Sequence, residues 1–309
     1  MIEFDDGTVG DRREKMGKDG EDSRNLQLVG PEPSILLDET PAPARIKVIG
    51  VGGGGCNSVN RMIDAGLHFT IATARNYDSV YPILQGLNFK LPVILFNGVY
   101  LTDFYTGKNV LLANFVPRGI INHMLQLVHP LGIDPFLYTY GENHHLYYRK
   151  VGNPGAQAYL DSLKGDDRLT QVEDFDLPDS EQVSGFLLID RKKVLAPVYH
   201  ALKSKYPNDL SIYFAEDVSK PGYYWLQCYH RDANKGQMVR ILSDHLNVPL
   251  NRMVVFGDYL NDLEMFNIAG KAIAMENALP EVKAAAHQVI GNNDQGAVVQ
   301  YLESMGFIP

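Results

Sequence analysis

The stretch VVFGDYLNDLEMF, residues 254 to 266, sets two carboxylates, Asp258 and Asp262, four residues apart just beyond an apolar run. Met253 to Phe256 reads as a buried strand, and Gly257 ends it. A strand that stops in a glycine turn delivers its acids to the carboxyl edge of a sheet, where open α/β sheets bind their ligands. Two carboxylates there suit Mg²⁺, which takes a few acid oxygens and keeps water and substrate phosphate for its other positions. The plainer alternative is that Asp258 belongs to the turn and Asp262 opens the next helix. Two more side chains bear on the choice. Thr73 follows the strand in HFTIATAR, residues 68 to 75, and a hydroxyl there can donate to a phosphate oxygen; a threonine placed for β-propensity is the alternative. Lys235, in Asn234-Lys235-Gly236, opens a helix and brings a cation and a helix N-terminus to one edge; a solvated lysine is the alternative. Hydroxyl, lysine and acid pair, in this order along the chain, specify a phosphate-plus-Mg²⁺ pocket better than any one of them does.

These residues need a parallel sheet to hold them. Ile46 to Val51, HFTIATAR and PVILFNG read as strands, with a glycine loop and helix (58 to 65) after the first and a short helix, YDSVYPILQGL, after the second. That alternation predicts a doubly wound parallel α/β sheet with helices on both faces. From about residue 110 the texture changes, with tyrosines and histidines clustered in FLYTYGENHHLYYRK. SGFLLID, LSIYFAE and GYYWLQCYH read as strands and VLAPVYHALKSKY as a helix. After residue 233 the alternation resumes. The expected organisation is a disordered segment over 1–44, a core domain over 45–109 and 232–309, and an inserted α/β cap over 110–231.

Size and charge narrow the class. A chain of 309 residues can bury two cores. The net charge of −9 argues against nucleic-acid partners, which need clustered Lys and Arg. Cys56 and Cys228 are too few for a disulfide framework and suggest a reducing compartment. No stretch is long and apolar enough to span a membrane, and the start, MIEFDDGTVGDRREK, lacks a signal peptide's pattern. The expectation is a cytoplasmic protein with a small-molecule partner and an oligomeric state left open.

From about residue 66 to 309 the chain resembles Cof-type phosphatases of the haloacid dehalogenase superfamily. AGLHFTIATAR resembles the second motif of that family and FNGVYLTDFYTGKNVL the segment leading into its cap. NKGQMVRIL resembles the lysine motif, and the run from VVFGDYLND to VVQYL the acidic motif and its continuation. The resemblance implies Mg²⁺ as cofactor, Thr73 and Lys235 as phosphate contacts, and Asp258 and Asp262 as metal ligands or their supports. It also implies Asn261 as a polar orienter, and Asn97 and Gly98 at the hinge edge of the pocket. The cap would close over small phosphorylated metabolites such as sugar phosphates, with Tyr138, His144, His145 and Tyr147 among the side chains that select them.

The family's nucleophile is the first acid of Asp-x-Asp-Gly-Thr at the end of the first strand. Here that strand is RIKVIGVGGGGCN, with no acid. Residues 44 to 67 instead resemble the opening of the tubulin-like cell-division GTPase FtsZ, in which glycines such as Gly52, Gly53, Gly54 and Gly55 would turn amides toward phosphate. That family's later GGGTGTG signature is absent. Gly50, Gly52 and Gly55 also fit a dinucleotide fingerprint, though the second strand ends in Arg75 rather than an acid. A tight strand–helix turn is the plain alternative. FDDGTVG, residues 4 to 10, offers Asp5 and Asp6 as substitute nucleophiles, at the cost of a very long intervening segment. Three expectations follow: a phosphatase with impaired turnover, a non-catalytic phosphate- or nucleotide-binding module, or a chimera joined near Ala65-Gly66-Leu67 without ligand function.

Overall fold

The computed structural model describes residues 68–306 apart from 142, 143 and 218, together with two strands at 27–28 and 46–50. In chain order the described strands are β1 (Gln27–Leu28), β2 (Ile46–Gly50), β3 (His68–Ala72), β4 (Val93–Leu95), β5 (Tyr100–Thr102), β6 (Asn109–Leu112), β7 (Phe136–Tyr140), β8 (Leu146–Tyr148), β9 (Leu169–Gln171), β10 (Gln182–Asp190), β11 (Leu210–Glu216), β12 (Tyr224–His230), β13 (Val254–Gly257), β14 (Lys271–Met275) and β15 (Gln288–Ile290). They form two sheets, ordered β1-β6-β5-β4-β3-β2-β13-β14-β15 and β11-β12-β10-β7-β8-β9.

Strands β4-β3-β2-β13-β14-β15 of the first sheet run parallel. Their sequences are short apolar runs because such strands are covered on both faces; every residue of β13 is buried. From β2 the chain steps outward through β3 and β4. It later returns to β13, on the other side of β2, and steps outward through β14 and β15. Right-handed crossovers in two opposite directions put their helices on opposite faces, so the sheet is doubly wound. The order reverses between β2 and β13, and the crevice of an α/β sheet opens at such a reversal.

The expectation of a wholly parallel sheet needs correction. β4, β5, β6 and β1 pair antiparallel. Residues 96–108 offer only tight connections, and a parallel return needs a crossover of a dozen residues or more. PVILFNG is likewise not strand throughout: β4 stops at Leu95, and Phe96, Asn97 and Gly98 take positive φ of 51°, 55° and 91°. Within the segment expected to be disordered, Gln27–Leu28 forms a strand because β6 offers unpaired backbone groups.

The second sheet is the cap, antiparallel except for β8 and β9. Alternation along β10 divides it between two cores. Phe186 and Leu188 join a cluster with the helices Arg118–Val128 and Lys192–Lys205, through residues such as Met124 and Leu195. Leu187 and Ile189 join the cluster that continues into the first sheet. One face of the cap sheet therefore turns toward the carboxyl edge of the core.

Candidate active site at the carboxyl edge of the core sheet

The turn after β13 folds back on itself. A Cβ on Gly257 would lie 2.6 Å from Cβ of Asp262, so only glycine lets Asp262 close over the strand end. Asp262 Oδ2 accepts from the backbone N–H of Asp258 at 2.9 Å and of Tyr259 at 3.0 Å. Its Oδ1 meets Lys235 Nζ at 2.7 Å, and both side chains are almost wholly buried, at 2% and 5% exposure. Lys235 is the first residue of the helix Lys235–His245, capped by Asn234, whose Oδ1 accepts from Gln237 N at 2.7 Å. The solvated-lysine alternative is thereby excluded.

The neighbouring strand ends complete the edge. Thr73, 5% exposed, follows β3 directly. Its Oγ1 accepts from Arg75 N at 3.1 Å, which leaves its own O–H to donate. Its carbonyl accepts from Asn97 N at 2.9 Å. Asn97 in turn accepts, at Oδ1, from Asn261 Nδ2 at 2.7 Å. Gly98, at φ +91°, sits against the Asn234 carbonyl, which a Cβ would strike. Thr73, Asn97 and Asn261 thus form one hydrogen-bonded set and Lys235 and Asp262 another, and all five residues are buried.

Asp258 differs from these. It is partly exposed, and no side chain among the described residues hydrogen-bonds its carboxylate. Burial, and then the charge of Asp262, push it above the ordinary carboxylate range, with Lys235 opposing. A carboxylate whose charge is disfavoured on balance is what a hard cation would relieve. Among the described residues no group of three or more His, Cys, Asp or Glu gathers as a metal cluster. Mg²⁺ needs only one or two carboxylates when water and phosphate complete its shell, so the residues fit that ion.

At the switch point, β2 pairs Ile49 with Phe256 and Gly50 with Ala72, and residues 46–50 carry no acid. Gly52 to Gly55, Asp5 and Asp6 lie outside the described residues.

Among the described residues, two cavities open between core and cap. One of about 600 Å³ takes in Tyr138, His144 and His145. Tyr147 instead belongs to the outer cap core, its hydroxyl on Glu181 at 2.7 Å. The second, about 840 Å³, runs from Ala74 and Arg75, just past Thr73, to Tyr159, Arg168, Trp225 and Gln227 of the cap. Sequence reasoning missed these last four. Trp225, Gln227 and Tyr229 alternate along β12, and that period-2 pattern was the available signal.

A buried lysine–aspartate pair, an asparagine pair and a partly exposed acid thus meet under a cap at the switch point of a doubly wound sheet. Residues 56–302 match the haloacid dehalogenase-like hydrolase family, and the chain belongs to it, in the Cof-type phosphatase branch. Among relatives, the chain is 25% identical over 272 residues to the 5-amino-6-(5-phospho-D-ribitylamino)uracil phosphatase YwtE of Bacillus subtilis, covering 80% of this chain and 89% of that one. It is 24% identical over 252 residues to the pyridoxal phosphate phosphatase YbhA of Escherichia coli, covering 79% and 88%. In fold it is similar to TM0651 of Thermotoga maritima, with a TM-score of 0.65 at 24% identity over 84% of this chain and 97% of that one.

Proposed function

We propose that the chain is a Mg²⁺-dependent phosphatase-type protein for small phosphorylated metabolites, with turnover impaired at the nucleophilic step. The observation that carries the proposal is the Lys235–Asp262–Asp258 arrangement at the β13 edge, on the same carboxyl edge of the sheet as Thr73 after β3. Asp258 would hold the ion. Asp262, with both oxygens engaged, would fix the turn and the lysine rather than give up an oxygen. Bound Mg²⁺ supplies positive charge that neutralises phosphate oxygens. Thr73 would donate its O–H to one of them, and Lys235 would set the potential of the pocket without leaving Asp262. Asn261 and Asn97 hold the edge rigid, and Gly98 permits their approach to the helix cap. The basis for impaired turnover is β2, the central strand, whose residues offer no carboxylate to attack phosphorus. An attacking acid would have to come from Asp5 or Asp6.

The experiment is Mg²⁺-dependent phosphate release from a generic phosphomonoester, comparing the full chain with Asp258→Ala and Asp5→Asn. Turnover lost in D258A supports the site. Loss in D5N as well assigns the nucleophile to the N-terminal motif. Zero turnover in all three proteins sinks the enzyme reading.

One observation favours a second reading. β2 extends to Gly50 at the switch point, and the glycine run that resembles FtsZ follows it in the sequence. Gly52 to Gly55 could then hold a nucleotide phosphate without turnover, in a natural or engineered chimera joined near Gly66. A Mg²⁺-dependent rise in melting temperature with GTP, absent with sugar phosphates, would support it. If no phosphate ligand shifts the melting temperature, only the chimera without ligand function stands.

A further inference from the structure

The turn that carries the acids touches the cap as well as the core. Tyr259, next to Asp258, donates its hydroxyl to the backbone carbonyl of Glu216 at 3.3 Å. Glu264, two residues after Asp262, accepts at Oε1 from the Tyr213 hydroxyl at 3.4 Å. Tyr213 and Glu216 both lie on β11, an edge strand of the cap sheet. One cap strand therefore clasps the acid turn on both sides of Asp262.

Alternation along β11 makes the clasp possible. Ile212 and Phe214 pack against the outer cap core, while Tyr213, between them, is buried in the cluster that continues into the core sheet. The turn is also held from the core side. A Cβ on Gly236 would stand 2.5 Å from the carbonyl carbon of Glu264, so the short helix Leu263–Phe266 presses on the first turn of the lysine helix. Glu264 Oε2 is buried and lacks a hydrogen-bond partner among the described residues. A half-satisfied buried carboxylate is costly, so the Tyr213 hydroxyl bears directly on where Glu264 rests. Other side-chain contacts between cap and core pass the turn by: Tyr100 Oη meets Ser184 Oγ at 2.6 Å, and Arg168 lies 3.4 Å from Asp78.

Asp258 is tied to this clasp through the backbone. The amides of Asp258 and Tyr259 both bond Asp262 Oδ2, so a shift of Tyr259 or Glu264 moves the turn on which the Asp258 carboxylate stands. Mg²⁺ demands near-ideal octahedral geometry and tolerates little displacement of its few protein oxygens. We infer that Tyr213 and Tyr259 are positioning residues, through which the seating of cap strand β11 sets the cation affinity of Asp258. Coupling of this kind is reciprocal: the cation that is bound better when the cap is seated must in turn favour the seated cap. The inference rests on the reading of Asp258 as the residue that holds the ion.

The test needs no turnover. The full chain is titrated with Mg²⁺ by calorimetry, alongside Asp258→Ala, the double variant Tyr213→Phe/Tyr259→Phe, and Tyr100→Phe. The last removes a core–cap hydrogen bond of the same kind that does not reach the acid turn. The double variant should keep its far-ultraviolet spectrum and bind Mg²⁺ about fivefold more weakly or worse. Tyr100→Phe should bind it as the wild type does. Mg²⁺ should also slow hydrogen exchange at the β11 amides of the wild type, and much less so in the double variant. Wild-type affinity in the double variant, an equal loss in Tyr100→Phe, or β11 exchange indifferent to Mg²⁺ overturns the inference. The underlying reading fails separately, if Asp258→Ala binds Mg²⁺ as tightly as the wild type or the wild type takes up none.

Discussion

The carboxyl edge of the core sheet and the facing wall of the cap are both buried or half-buried, yet they are built on opposite principles. The core edge is polar and charged, and much of it is paired before a ligand arrives: Lys235 to Asp262, Asn261 to Asn97, Asp262 to the backbone of its own turn. The cap wall is aromatic, its rings held by packing and a few side-chain hydrogen bonds. The first can only recognise one chemical group, because its polarity is fixed before a ligand arrives. The second can adapt, since rings tolerate many partners of similar shape.

If the core edge is rigid because its charges are paired, breaking a pair there should cost most. Lys235→Ala leaves Asp262 buried without its cation and should lower unfolding free energy by about 3–5 kcal/mol in urea titrations. Pairing Lys235→Met with Asp262→Asn, whose Oδ1 can still accept from the amides of Asp258 and Tyr259, should recover part of that loss. A single-variant cost below about 1 kcal/mol would mean that the network is not rigid in this sense. Next in size is the hinge beside it. Gly98→Ala should lose about 1–2 kcal/mol from the left-handed backbone alone, before any clash with the Asn234 carbonyl, measured by the same titration. In the cap, Tyr159→Phe removes one hydroxyl contact and should cost only about 0.5–1.5 kcal/mol. Equal costs for Tyr159→Phe and Lys235→Ala would erase the contrast between the regions.

The smallest expected change has the opposite sign. Asp258 is held above its ordinary value of 3.8 by burial and by Asp262. As pH rises the unfolded chain therefore releases that proton first, and the folded state loses stability from pH 3.8 upward through the raised value. In metal-free buffer Asp258→Asn should melt slightly higher than the wild type at pH 7. The gap should close as pH falls toward 4, by calorimetry. A variant that melts lower at pH 7 would show that the carboxylate is compensated after all.

Much of this was legible in sequence. GDYLND declared a strand, a glycine turn and two acids, because a short apolar run bounded by glycine has few other solutions in an α/β protein. Lys235 was legible from its place at a helix start. What was not legible is direction. Nothing in the spacing says that Asp262 turns both oxygens inward while Asp258 leaves its carboxylate outward; that depends on Gly257 allowing the turn to close. Nor does the chain disclose that Asn97 meets Asn261 across 164 positions, since the contact exists only once β4, β3, β2 and β13 lie in one sheet. The antiparallel side of the sheet was hidden for a different reason: strands of three residues carry too little alternation to reveal their direction.

Gln27 and Leu28 matter to anyone who shortens this protein. They stand in a polar, proline- and glycine-rich stretch that invites trimming, yet they lie along Asn109–Leu112 at the margin of the larger sheet. Without them that margin is an open template for a second molecule. A chain begun at residue 45 should therefore self-associate more readily as its concentration rises, while keeping the fold of each copy.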